Sequence, residues 1–160
     1  MLGHPDPAEA LWDSFSLSIG YPPPGFDTIP AVRMQKIGED AQATYHRCFI
    51  RVTPEMETYG LYIVPKKKQG RAPLVIAKHG GGGYPELATF HGGANYHDMV
   101  RGAVAEGYIV YAPLTIMYPY RDRDHGTRIP VEVRAELDQQ LRDKGTSLMA
   151  VESFKITRAL

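Results

Sequence analysis

The chain has 160 residues with 43% hydrophobic and 22% charged side chains, an ordinary globular composition long enough for one domain with a real core. Eighteen basic side chains balance eighteen acidic ones, so no whole-chain field exists to draw in nucleic acid, an anionic membrane or a strongly charged substrate. The single cysteine, Cys48, excludes an internal disulfide and any multi-cysteine metal site.

The amino terminus lacks both a basic n-region and an apolar h-region, and no apolar run approaches the ~18 residues that span a bilayer, so a cytoplasmic protein is expected. Residues 1–45 read as an arm. A short helix is predicted over 8–15, with Asp6 as N-cap, Pro7 at the first helical position, and Leu11, Trp12 and Phe15 as an apolar stripe anchoring the arm on the body. The prolines of Tyr21-Pro-Pro-Pro-Gly stop any regular element there.

Strand-like residues begin at His46. Runs over 48–52 and 58–64, joined by a Thr53-Pro54-Glu55 break, predict an antiparallel hairpin. Cys48 alternates within the first run as a small buried side chain, and no adjacent group activates its thiol. A polar turn over 66–70 leads to residues 74–77, whose unbroken apolar character predicts a strand covered on both faces. Four consecutive glycines follow His79. A helix over 94–106 with Gly107 as its stop, then a strand over 108–112 ended by Pro113, complete a βαβ unit with parallel strands.

Residues 113–130 are irregular and dense in charge and aromatic rings. They follow the carboxyl end of a parallel strand, where open α/β sheets bind ligands, which makes Tyr118, Tyr120, Arg121 and His125 candidates for a pocket wall. Asp122, Asp124 and His125 lie too close together, without a fourth partner, to read as a metal site. A helix over 131–144 closes at Gly145, and Thr146 or Ser147 caps a last helix. Its sheet-covering arc is Leu148, Met149, Val151, Ile156, Ala159 and Leu160, interrupted by Glu152 and Lys155. Neither a repeat nor a low-complexity tract is present.

The glycine run carries the chemistry. A dinucleotide loop needs a third glycine where Pro85 stands and an acidic residue after the next strand, and a phosphate loop needs a following Lys-Ser or Lys-Thr; both are missing. An oxyanion loop remains: glycines allow close backbone approach, so peptide N–H groups of Gly80, Gly81, Gly82, Gly83 and Tyr84 could face a developing negative charge. His79 is expected to pin this loop by a hydrogen bond rather than act as a base. No metal or other cofactor is implied.

The run from Pro73 through His79 to Gly83, the helix ending Ala105-Glu-Gly107, the strand Tyr108-Ile-Val-Tyr-Ala-Pro113 and the helix beginning Gly145-Thr-Ser-Leu resemble the α/β-hydrolase superfamily. The likeness is to its dienelactone hydrolase and acetyl xylan esterase-like members, over residues 46–160 and to their amino-terminal half alone. It implies a partial α/β-hydrolase domain over 46–160: an antiparallel hairpin leading into a mostly parallel sheet with flanking helices, ending before the strand that carries the nucleophile. It implies an ester hydrolase whose substrate is a small carboxylic ester, with serine, acid and histidine beyond Leu160.

No G-x-S-x-G occurs in the chain. Ser147 reads as a helix-start residue, Ser14, Ser16, Ser18 and Ser153 have no better context, and the chain order of such triads excludes His4, His46, His79, His91, His97 and His125 as the base. The chain alone is therefore expected to be inactive. The alternatives are a non-catalytic binding module and a gene fragment on the same half-fold. The implied sheet order leaves the strand over 74–77 with one unpaired edge, and with it a route to self-association.

Overall fold

The computed structural model describes residues 6–24, 31–52, 56–67, 70–80, 83–90, 97–115 and 131–160. The chain runs α1 (Pro7–Ile19), β1 (Val32–Glu39), β2 (Ala43–Arg51), β3 (Glu57–Pro65), β4 (Leu74–Ile76), α2 (Pro85–Phe90), α3 (Met99–Ala105), β5 (Ile109–Pro113), α4 (Val131–Arg142) and α5 (Leu148–Thr157). Among these residues no helix is long and apolar enough to cross a membrane.

One sheet has the order β1-β2-β3-β5-β4. The predicted hairpin is β2 against β3, longer at both ends than the sequence suggested. Two further pairings, β1 with β2 and β3 with β5, are antiparallel, and only β4 with β5 is parallel. The described sheet is therefore mostly antiparallel, against the expectation of a mostly parallel one. The parallel part begins only where the first helical crossover joins β4 to β5.

The strand β1 falls in the stretch read as an arm. Seven of its eight residues are exposed, and the apolar side chains on its inner face, Val32 and Met34, stay 58% and 47% exposed. Its pairing is set by backbone and by the turn after it. Asp40 Oδ1 accepts the amides of Gln42 and Ala43 at 2.8 and 2.9 Å, and Asp40 Oδ2 accepts the Tyr45 hydroxyl at 2.7 Å. The Tyr45 bond, with the two amides, holds the Asp40 carboxyl below its ordinary range.

Strand alternation divides the core between the two sheet faces. Tyr59, Leu61 and Ile63 of β3 and Val110 and Ala112 of β5 pack with Val100 and Val104 of α3 on one face. Cys48, Ile50 and Tyr111 form a smaller cluster on the other, joined by Leu74, Ile76 and Ala159. Val75 packs against one cluster and Leu74 and Ile76 against the other, yet all three residues stay half-buried because β4 is an edge strand in the described sheet. Gly60 lets the Tyr111 ring cross close to β3: a Cβ there would meet Tyr111 Cε2 at 2.6 Å and the Ala112 carbonyl oxygen at 2.7 Å.

Helix α1 forms with Asp6 as N-cap, its side chain accepting the Ala8 amide at 2.9 Å. Trp12 and Phe15 are not its buried anchors, being 46% and 42% exposed. The arm is held instead at its end, where Tyr21 bridges the Trp12 and Phe154 rings and the carbonyls of Ile19 and Gly20 meet Ser147 and Thr146. The left-handed Gly20 closes α1 there.

Helix α5 starts at the Ser147 cap, but its buried face differs from the expected arc. Ala150, Val151, Glu152, Phe154 and Lys155 are buried, whereas Met149 and Leu160 are 57% and 81% exposed. The two charges turn inward because they neutralise each other on arrival at the sheet's end. Helix α3 is shorter than predicted within the described residues, and α2, one and a half turns after the glycine run, was not foreseen.

Candidate functional site

The carboxyl ends of β4 and β5 lie side by side, and the chain leaves β4 through Lys78, His79 and the glycines. The last ladder bond is Ala77 N–H to the Tyr111 carbonyl at 2.9 Å. Beyond it His79, 3% exposed, spans the gap between the strands. The Thr115 amide donates to His79 Nε2 at 3.2 Å, which makes Nε2 an acceptor and puts the ring proton on Nδ1. Nδ1–H then donates to the Gly80 carbonyl at 2.9 Å. Burial lowers the His79 pKa against the opposing pull of the Gly80 bond and Glu152, so the ring is held neutral in this tautomer.

The Gly80 carbonyl also accepts the Gly83 amide at 3.1 Å. Gly83 N–H is thus engaged within the loop. Gly80 itself has an ordinary φ, and a Cβ built on it would meet no atom of the described residues within 4 Å, so packing among them does not explain the missing side chain. The Tyr84 carbonyl takes the Ala88 amide at 3.1 Å and opens α2. From β3, the Tyr59 hydroxyl donates to Glu86 Oε1, tying the start of α2 to the sheet. The loop is therefore fastened at both ends, to β5 through His79 and to β3 through Glu86.

Beneath His79 lies a buried ionic cluster. Lys155 Nζ donates to the Leu114 carbonyl at 2.9 Å and to Glu152 Oε2 at 3.0 Å, while Lys78 Nζ stands 3.4 Å from Glu152 Oε1. The Glu152 and Lys155 side chains are 8% and 5% exposed. Burial drives the Lys155 pKa down and Glu152 opposes that. Such charges persist at this depth only when each is paired and hydrogen-bonded.

Of the residues the sequence singles out, His79, Gly80, Gly83 and Tyr84 come together here. Gly81, Gly82, Tyr118, Tyr120, Arg121 and His125, with Asp122 and Asp124, lie outside the described residues. Ser147 sits elsewhere, with its Oγ donating to the Ile19 carbonyl at 2.7 Å and accepting the Ala150 amide at 3.1 Å, as a helix cap does. Cys48 is buried on the far sheet face, its thiol pushed up to about 11, and is no nucleophile at neutral pH. It lines an apolar cavity of about 210 Å³ with Val32, Met34, Ile50 and Tyr111, which carries no acid–base pair. Among the described residues no group of His, Cys, Asp and Glu could hold a metal ion.

Sequence reasoning missed Thr115, Glu86 and the inward turn of Glu152 and Lys155. The signal for the last two was present, as opposite charges three residues apart on an otherwise apolar helix face.

No family model and no curated protein matches the sequence. Solved structures do. The chain is similar to an acetyl xylan esterase candidate from Bacteroides fragilis, with a TM-score of 0.72 and 16% identity over 94% of this chain and 40% of that one. It is also similar to acetyl xylan esterase 1 from Thermoanaerobacterium sp., with a TM-score of 0.59 and 16% identity over 99% of this chain and 46% of that one. The chain spans less than half the length of either, and at this identity the likeness is one of fold. The described residues have a mixed α/β fold like that of part of these two structures.

Proposed function

We propose that this chain is the amino-terminal part of a serine ester hydrolase acting on small carboxylic esters of the acetyl type, to which it contributes the oxyanion loop. The observation that carries the reading is the clamp of His79 on Gly80 at the carboxyl end of a parallel strand, where an open α/β sheet receives its ligand. A neutral histidine that holds a carbonyl inward leaves neighbouring amides to face outward, and preorganised amides are what an acyl-transfer oxyanion needs. The fold likeness to two acetyl xylan esterase structures supports the same choice of reaction.

In this reading the donors are amides of Gly81, Gly82 and Tyr84, since Gly83 N–H is turned to Gly80. His79 positions them and transfers no proton. The serine, acid and base lie outside these 160 residues. The chain alone should give no serine-dependent burst with p-nitrophenyl acetate. A coding sequence continuing in frame past Leu160 into G-x-S-x-G should yield a longer protein that hydrolyses this ester, with kcat lowered about 10-fold or more by displacing one loop amide. A burst from the 160 residues would overturn the proposal, as would a continuation lacking the serine motif.

A further inference from the structure

We propose that Lys155 is the positioning residue of the glycine loop, acting through the peptide unit between Leu114 and Thr115 to set the tautomer of His79. The Leu114 carbonyl and the Thr115 amide belong to one planar trans peptide, so they point in opposite directions and turn together. Lys155 Nζ grips the carbonyl at 2.9 Å from α5, and on the far side the Thr115 amide meets His79 Nε2 at 3.2 Å. The Leu114 amide is bound to the Tyr59 carbonyl at 2.8 Å, which fixes the other end of the same residue to β3.

With Nε2 occupied as an acceptor, the proton sits on Nδ1, 2.9 Å from the Gly80 carbonyl. A free imidazole exchanges its proton between the two nitrogens, and here the choice is made by the orientation of a peptide that a buried ammonium holds. Glu152 at 3.0 Å keeps that ammonium charged and aimed. Well-packed apolar residues replace buried ion pairs often at no loss of stability, so the pair is not explained by stability alone. What the ion pair adds is direction at the Leu114 oxygen. The proposal concerns the geometry of the loop and stands whether or not the loop serves an ester hydrolase.

The test is imidazole ¹⁵N NMR on the full 160-residue chain. Wild type should show His79 as a single Nδ1–H tautomer, with one protonated-type and one unprotonated-type nitrogen well separated. Lys155→Met should collapse that separation toward the average of a free ring. Lys155→Arg, which can still donate to Leu114, should retain it. Ile50→Ala, a buried truncation in the cluster of Cys48 and Tyr111, which Leu114 does not share, should leave it unchanged although it lowers the melting temperature.

Glu152→Gln with Lys155→Met leaves no lone charge between these two positions and should show the same collapse if Lys155→Met alone does not fold. A wild-type ring that is mixed or Nε2–H overturns the proposal. So do a folded Lys155→Met chain with an unchanged ring, failure of Lys155→Arg to retain the tautomer, or a collapse in Ile50→Ala. If neither variant lacking the lysine folds, the proposal also fails, because Lys155 would then hold the fold rather than the loop.

Discussion

Ser147 Oγ donates to the carbonyl oxygen of Ile19 at 2.7 Å, a bond across 128 positions of sequence that joins the end of α1 to the start of α5. The same oxygen accepts the Ala150 amide as the N-cap of α5. One hydroxyl thus closes one helix and opens another. Ser147→Ala should cost about 1–3 kcal/mol, combining a lost cap with a part-buried carbonyl that loses its donor. Urea unfolding measures the loss, and limited proteolysis should find α1 cut faster than in wild type. A variant as stable as wild type would remove the hydroxyl from the docking of the arm.

Two glycines separate packing from function. Gly60→Ala would place a methyl 2.6 Å from the Tyr111 ring and 2.7 Å from the Ala112 carbonyl, where the backbone of β5 cannot move without breaking its ladder to β3. We expect a loss of about 2–4 kcal/mol, typical of severe overpacking. Gly80→Ala meets no atom of the described residues at an ordinary φ and should change the melting temperature little. Thermal melts of the pair check both, and a Gly80→Ala chain that unfolds like Gly60→Ala would show that the loop glycine serves packing.

The neutral state of His79 gives stability a specific pH dependence. Burial depresses its folded pKa below the ordinary value near 6.5. Between the depressed value and about 6.5 the unfolded chain binds a proton that the folded chain does not, so stability rises with pH there. On acidification the loss starts near pH 6.5 and levels off below the folded pKa. His79→Asn removes the titration. The difference in unfolding free energy between wild type and variant, measured from about pH 8 to 4.5, should narrow as pH falls through that window. A constant difference would mean that the ring is not held neutral.

How far the sequence reveals this arrangement follows from what pattern reading can see. Strand β5 was legible because 108–112 is a short apolar run between Gly107 and Pro113, and α5 was legible from its cap. Strand β1 was not, since an exposed edge strand carries no burial period and is specified by its partner's backbone and by the Asp40 turn. The position of His79 before four glycines was plain. Its donor was hidden, because Thr115 contributes a main-chain amide that any residue but proline would supply. Glu152 and Lys155 read as blemishes on an apolar arc until the sheet end to which they dock is known.

The edge strand β4 offers the last test. Its Val75 packs on the α3 face and its Leu74 and Ile76 on the other, yet all three stay half-buried, and β5 is its sole strand partner in the described sheet. In a parallel pair the peptide groups alternate, so those of Leu74 and Ile76 turn away from β5 while the Pro73 carbonyl and Ala77 amide bond to it. A short apolar strand with outward donors and acceptors templates association. The isolated chain should therefore self-associate as its concentration rises. Leu74→Lys, which puts a charge on a half-buried residue of the edge strand and leaves every β4–β5 backbone bond in place, should shift sedimentation toward monomer. Wild type that stays monomeric at high concentration, or a Leu74→Lys variant that associates as strongly, would assign any association to a different surface.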